Sequence, residues 1–369
     1  MRDLNKFKGC LIGGAVGDAL GYAVEFMSAF AISKKYGKNG ITEYELRDGI
    51  AEISDDTQMT LFTAMGLLVG AMQGTAEDHA ERCIANSYRA WFLTQTEKYP
   101  LPEELHCSWL VNLPEMFSRR APGNSCMSAL AQGGNGSLEN PINNSKGCGG
   151  IMRVAPIGLY FSDKGHEPEE IDMIGAKAAA LTHGHELGYI PAAMLVHIIL
   201  RISEYGDSIL EAVKDAMRVM PIVFPKAKYV NGLLALIKEA IALSKENIDD
   251  FDAIIQLGEG WVAEETLAIA VYCALKYPDD FEKGVIAAVN HSGDSDSTAA
   301  VTGNILGASL GVDAIPQKYL DKLELKDVIL EIAEDLHQDC HGSEDGSLEE
   351  LWESKYISMT YRRNDSAVV

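Results

Sequence analysis

The stretch HSGDSDSTAAVTGNILGASLG, residues 291–311, opens with aspartates at 294 and 296 set among serines and a threonine, then runs into small and apolar residues. The run reads as a buried helix, so two negative charges stand at its mouth. No Lys or Arg lies between Lys283 and Lys318 to neutralise them. A helix N-cap explains one such side chain, because Asp and Ser accept from the first free N–H groups and an anion suits that end of the helix. It does not explain several oxygen-bearing residues crowded together.

A second cluster of the same design stands far upstream in ISDDTQMTLF, residues 53–62, where Ser54, Asp55, Asp56 and Thr57 precede another apolar helix. If the two helix starts meet, four carboxylates converge, and their repulsion requires a cation or strongly raised pKa values. The donors are hard oxygens with no His/Cys set, which suits Mg²⁺, Mn²⁺ or Ca²⁺ rather than zinc or copper. An EF-hand is excluded: counted from Asp294, position 6 is Ala299 instead of Gly and position 12 is Ile305 instead of Glu. Four aspartates with two hydroxyls are about enough for two metals, a site able to activate water and orient substrate hydroxyls or phosphates.

Other polar residues are candidates for the same site. Asp18 and Glu25 follow a glycine stripe in GGAVGDALGYAVEF, nearly two helical turns apart and so on one face. For Asp18 a structural role is expected. His183 and His185 in LTHGHELG form a weak HxH pattern better suited to capping or ligand contact than to metal. The glycines of SKGCGGIMR place N–H groups in a loop that can cradle phosphate. There is no GxGxxG or GxxxxGK[ST], so dinucleotide-fold and P-loop chemistry are not indicated. Cys148 has no basic neighbour beyond Lys146 and is a poor catalytic thiol. Trp261 in GEGWVAEETLAIAVYC could be core or stack on a base, and the sequence favours core.

The dominant period is helical, over 56–74, 76–95, 170–184, 191–206, 229–247 and 264–278. Strand candidates are few: ITEYEL (41–46) alternates weakly, and VAPIGLYF (154–161) fits either state. Gly13, Gly17 and Gly21 form a smooth stripe that lets a neighbouring helix come close. The Gly/Asn/Ser-rich region 133–150 reads as a functional loop or a flexible linker. The acidic HGSEDGSLEE (341–350) reads as a surface turn. No clear linker divides the chain, so the expectation is one compact, all-α, multi-helix domain over 1–369.

The 369 residues carry a net charge of −23, which repels nucleic acid and anionic membranes, so neither is expected as a partner. Seven cysteines (10, 83, 107, 126, 148, 273, 340) form neither a CxxC nor a regular framework and point to a reducing, cytoplasmic setting. The N-terminal apolar stretch is short, holds four glycines between Gly9 and Gly17 and is broken by Asp18, which argues against a signal peptide. No run of membrane-spanning length is read in the sequence.

Taken together, GCLIGGAVGDALGYAVEF, ISDDTQMT, SKGCGGIMRVAPIGL, ALTHGH, GEGWVAEETLAIAVYC and HSGDSDSTAAVTGNILGASLG resemble, in order and over about residues 7–311, the ADP-ribosylglycohydrolase family, which includes the dinitrogenase reductase-activating glycohydrolases. The resemblance implies an all-α fold with two Mg²⁺ ions (or Mn²⁺) in a cleft and hydrolysis of the bond between C1″ of ADP-ribose and its acceptor. It implies metal ligation by Ser54, Asp55, Asp56, Asp294, Asp296 and Ser297, with Glu25 as the catalytic acidic residue beside the scissile bond. Gly147, Cys148, Gly149 and Gly150 would face the diphosphate and ribose, and His183 would line the same pocket. Ser54 and Ser297 stand where threonine is common in the family, and Cys148 where the activating glycohydrolases carry asparagine; residues 312–369 are left unassigned by the motifs. The expected substrate is ADP-ribose on a protein, arginine foremost. The alternatives are hydrolysis of a small ADP-ribose derivative or other glycoside, and a catalytically silent ADP-ribose-binding or structural homologue.

Overall fold

The computed structural model describes residues 2–339 and 347–363. Seventeen α-helices make up its regular structure: α1 (Leu4–Tyr22), α2 (Ala29–Tyr36), α3 (Asp55–Met72), α4 (Ala76–Thr96), α5 (Asn124–Ala131), α6 (Ala155–Tyr160), α7 (Pro168–Ala180), α8 (Glu186–Leu200), α9 (Ile209–Val223), α10 (Val230–Leu243), α11 (Asp250–Leu257), α12 (Ala263–Lys276), α13 (Phe281–Val289), α14 (Ser295–Leu310), α15 (Gln317–Leu320), α16 (Lys326–Gln338) and α17 (Ser347–Tyr356). Among the described residues there is no strand, only isolated bridges such as Gly147 with Val262. The weak strand candidate at 41–46 is therefore corrected, and the ambiguous 154–161 resolves as helix. Residues 155–160 close into α6, with Pro156 in its first turn, where a missing N–H costs nothing. Residues 41–46 run as irregular chain leading to the Arg47–Ile50 bridge.

The glycine stripe finds its partner in the helix that opened the sequence analysis. α1 and α14 pack antiparallel, with Gly9 against Gly307, Gly13 against Gly303, Gly17 against Ala299 and Gly21 against Ser295 and Asp296. At each of these glycines a Cβ would collide with backbone of the other helix, so the interaxial approach needs their bare Cα atoms. Asn304 pins the register, its side-chain amide donating to the Cys10 carbonyl at 2.8 Å. This seam places the C-terminal end of α1 beside the acidic N-terminus of α14.

Around the seam one hydrophobic cluster runs without a break from Phe7 to Tyr356. The segment Glu186–Tyr205 is long and apolar enough to cross a membrane by length and composition, a property not read from the sequence, and 78% of it is buried inside the fold. It is α8 with a following π-helical turn, and it packs against α6, α7, α9 and α12. Residues beyond 312 belong to the same core: α16 lies on α1 and α3, and Trp352 and Tyr356 of α17 are buried. Of the expected acidic turn, residues 341–346 lie outside the described residues, and 347–350 begin α17.

Candidate active site

Three elements deliver the acidic residues to one cavity of about 440 Å³. Ser54 caps α3, its Oγ accepting from Asp56 N–H at 3.2 Å, which sets Asp55 and Asp56 in the first turn. Asp18 on α1 holds that start in place: its carboxylate accepts from Ser54 N–H (3.0 Å), Thr57 N–H (3.1 Å) and the Thr57 hydroxyl. Asp18 is thus the structural residue expected. Asp294 caps α14 by accepting from Ser297 N–H at 3.3 Å. Gly293 before it adopts φ +136°, a conformation L side chains rarely reach, and a Cβ there would strike the Glu259 carbonyl. Glu25 does not share a helical face with Asp18, because α1 ends at Tyr22; it enters the cavity from the turn beyond.

The cavity is lined by Glu25, Asp55, Asp56, Asp294, Asp296, Ser297, Gly147, Cys148, Gly149 and His183 among the expected residues. Ser54 and Gly150 are buried behind it and do not line it. Glu25, Asp294 and Asp296 are the tightest group, each offering an oxygen within 4.8 Å of the others. A larger cavity of about 650 Å³ lies near α2, α11 and α13. Its acids are already committed: Asp249 caps α11, and Asp250 accepts from Tyr272 and Tyr277, both at 2.7 Å. Chemistry, not volume, singles out the first cavity.

Burial dominates the electrostatics here. It pushes the Glu25 carboxyl up to about 9, helped by the charges of Asp294, Asp55 and Asp18. It likewise raises Asp55, Asp56 and Asp296 well above the ordinary carboxylate value, with neighbouring aspartates adding to the rise. Two oxygens in the cluster, Glu25 Oε2 and Asp56 Oδ2, are buried without a hydrogen-bond partner. Hard, anionic, converging and partly unpartnered donors fit a divalent cation, which would replace protons as the neutralising charge.

The opposite wall is the glycine loop. Its backbone is tied to the loop before α12 by the Gly147–Val262 bridge and by Cys148 N–H donating to Trp261 O at 3.2 Å. Gly147 N–H is also engaged, by Ser145 Oγ at 3.3 Å, so the expected nest of free N–H groups does not extend to these two residues. The glycines serve closeness as well: a Cβ at Gly149 would lie 2.9 Å from Cys126 Sγ and 3.1 Å from the His183 ring. Burial, with Arg153 nearby, lowers His183 to about 3 and keeps its ring neutral. His185 is the N-cap of α8, accepting from Leu187 N–H at 3.0 Å.

Trp261 is not core. It is 38% exposed and stacks on the 75%-exposed Phe26, ring centroids 6.0 Å apart, both lining the cavity. It sits on the loop before α12, after Gly260 with φ +82°, and so escapes that helix's buried stripe. Phe26, Arg119, Asn124, Ser125 and Cys126 also line the cavity and were not anticipated. The last four come from the aperiodic 118–126 region, where no spacing marks them. That segment is fastened by Arg120 to Glu324 and to the Ile53 carbonyl (2.9 Å) and reaches the site through Gly123 N–H, which donates to Asp55 Oδ2 at 3.3 Å.

The comparisons with known proteins agree with this geometry. The family model for ADP-ribosylglycohydrolase matches residues 1–346. The chain is 27% identical over 325 residues to ADP-ribosyl-[dinitrogen reductase] glycohydrolase of Rhodospirillum rubrum, covering 86% of this chain and 90% of that one. It is 25% identical to ADP-ribosylhydrolase ARH3 of Danio rerio, over 86% and 85% of the two chains. It is 22% identical to ADP-ribosylarginine hydrolase Tri1 of Pseudomonas putida (strain GB-1), over 90% and 78%. A solved structure titled ADP-ribosylglycohydrolase-related protein complex shares the fold, with TM-score 0.58 and 23% identity over 91% of this chain and 98% of that one. On this combined ground the chain belongs to the ADP-ribosylglycohydrolase family, a family of metal-dependent hydrolases that act on glycosyl bonds.

Proposed function

We propose that this protein hydrolyses the C1″ bond joining ADP-ribose to an acceptor, most specifically to arginine on a protein, with two Mg²⁺ (or Mn²⁺) ions in the carboxylate cleft. The observation that carries the reading is the convergence of Glu25, Asp294 and Asp296, with unpartnered oxygens on Glu25 and Asp56, opposite a glycine wall that leaves room for a substrate. Asp55, Asp56, Asp294, Asp296 and Ser297 would hold the ions, with Ser54 behind them setting the two α3 aspartates through its cap. The ions would supply charge neutralisation and activation of water.

The rest of the chemistry belongs to the chain. Cleavage at C1″ develops positive charge on the sugar, as in glycoside hydrolysis, and the surrounding carboxylates oppose that charge. Glu25 stands at the end of the seam, beside the cluster, and moves the proton between water and the departing group. Neutral His183 offers a hydrogen-bonding ring without adding charge, its Nδ1 already paired with Thr182 Oγ1 at 2.8 Å. Gly147, Cys148 and Gly149 would border the diphosphate and ribose, with Gly150 packed behind them. The stacked Phe26–Trp261 pair next to Glu25 suits a planar guanidinium, and one relative carries arginine in its name. The acidic composition and the cysteine pattern support a cytoplasmic setting, and ADP-ribose or ADP-ribosylated protein would be the partner.

The test is ADP-ribose release from an arginine-ADP-ribosylated peptide and, in parallel, from a serine-linked one. The reading expects release from the arginine peptide with Mg²⁺, none with a chelator, and a loss of about 10²–10³-fold or more in Asp296→Asn. Release from the serine peptide alone would overturn the arginine assignment. Absence of release from both, by protein that binds ADP-ribose, would overturn hydrolysis of protein-linked ADP-ribose.

A further inference from the structure

We infer that Cys148 makes the cleft a mixed sulfur–oxygen site, at which a borderline or soft divalent ion such as Zn²⁺ or Cd²⁺ displaces the hard ion and shuts the hydrolase down. Cys148 Sγ donates to Asp294 Oδ2 at 2.7 Å, so a cation seated on Asp294 lies within reach of the sulfur. Asp294 in turn shares the 4.8 Å cluster with Glu25 and Asp296. Independently of the cysteine, Glu25 is only 7% exposed, lines this cavity, and keeps Oε2 without a partner. The thiol thus stands beside the carboxylate group at Asp294, where an ion drawn to that side takes sulfur and carboxylate together; the three oxygens of Glu25, Asp294 and Asp296 lie within 4.8 Å of one another without it.

The sulfur is fixed by backbone rather than by chance of rotamer alone. Cys148 N–H is bonded to Trp261 O, and the preceding Gly147 bridges Val262. Thiolate prefers Zn²⁺ and Cd²⁺ over Mg²⁺ or Mn²⁺, and zinc exceeds manganese in affinity for sites of this kind. On binding, the thiol proton leaves to solvent and the sulfur lone pair forms the metal bond, with no change of oxidation state. The consequence is regulation by metal identity. Hard ions leave Cys148 as a hydrogen-bond donor to Asp294, whereas soft ions take both groups.

The inference rests on the cleft being a cation site, and the experiment separates the two ideas. Cd²⁺ is titrated into the full-length protein while thiolate-to-metal charge transfer is followed in the ultraviolet, and Mn²⁺ binding is measured in parallel by electron paramagnetic resonance. The expected result is a charge-transfer band that saturates at one equivalent, survives Cys126→Ser, and vanishes in Cys148→Ser. Cd²⁺ affinity in Cys148→Ser falls by about 10–100-fold while Mn²⁺ affinity is retained. Cys148→Ala repeats the test with no new hydrogen-bonding group, and melting curves confirm that each variant is folded. Mn²⁺ binding without a Cd²⁺ band, or a band that survives removal of Cys148, overturns the sulfur site alone. Failure to bind either ion overturns both this inference and the proposed function.

Discussion

Two groups of buried carboxylates in this molecule are alike in burial and opposite in company. On α7, Asp172 is fully buried, yet both its oxygens lie 2.9–3.0 Å from His197 Nδ1 of α8, whose Nε2 reaches Asp215 of α9 at 3.2 Å. On α16, Asp335 accepts from Lys355 at 2.7 Å and from the Tyr356 hydroxyl. In the cleft, Glu25 and Asp56 are as deeply placed and each keeps an oxygen with no donor at all. An unpaired buried charge costs several kcal/mol, so several of them converging on one cavity call for something outside the chain to complete them. Burial with partners builds the framework; burial without them marks the place where a ligand belongs.

The largest effect expected from this contrast is on the framework side. Asp172→Ala leaves His197 facing Asp215 alone in a buried position and should lower unfolding free energy by about 3–5 kcal/mol, read from denaturant curves. The same variant should bind Mn²⁺ as the wild type does. A stability loss accompanied by loss of ion binding would erase the distinction between the two groups.

A smaller effect is expected in the cleft, with the opposite sign. Mg²⁺ at about 100 times its dissociation constant should stabilise the wild type by about 2.7 kcal/mol, with ADP-ribose adding to this only when metal is present. Asp56→Asn should abolish that gain. Metal-free Asp56→Asn should be no less stable than metal-free wild type, because removing an unpaired charge relieves the cluster. A Mg²⁺-induced shift that survives Asp56→Asn would place the ion elsewhere.

How much of this was legible beforehand follows from what spacing can and cannot encode. Gly13, Gly17 and Gly21 announced a close helix contact, but a stripe cannot name its partner; Gly303 and Gly307 emerge as the other half only once α14 lies antiparallel to α1. The convergence of Asp55 and Asp56 with Asp294 and Asp296 was legible only as a condition, since repulsion says what two acidic helix starts need if they meet and not that they meet; the resemblance supplied the pairing. Glu25 was identified as a site residue, yet its shared face with Asp18 was not real, because α1 stops three residues earlier. Trp261 was taken for core because its neighbours in α12 are, whereas its exposure depends on a loop turned by Gly258 and Gly260. Arg119 sits in irregular chain, and Asn124, Ser125 and Cys126 open the short α5, whose placement rests on long-range bonds that leave no local trace.

The smallest expected effect is a pH slope, and its sign tests whether the α7–α8–α9 lock is ionic. Burial alone would lower the His197 pKa, but the hydrogen bond and charge of Asp172, followed by those of Asp215, raise it above the ordinary 6.5. Asp215 is in turn held by Arg218 at 2.8 Å and lies 3.8 Å from Arg201. A histidine with a raised folded pKa contributes stability that is complete below pH 6.5 and is lost as pH rises through the folded value. Asp172, pushed up to about 6 by burial against the pull of His197, still titrates at the lower edge of this window, so the comparison is read above about pH 7. Glu25 titrates across it with a slope of the same sign, but that contribution cancels between variants measured in the same buffers. Wild-type stability should therefore fall more steeply than that of His197→Gln above about pH 7, by about 1.4 kcal/mol for each unit by which the histidine is raised. Parallel curves would mean that His197 is neutral and that Asp172 and Asp215 hold it by hydrogen bonds alone, which would make the framework acids less different from the cleft than their partners suggest.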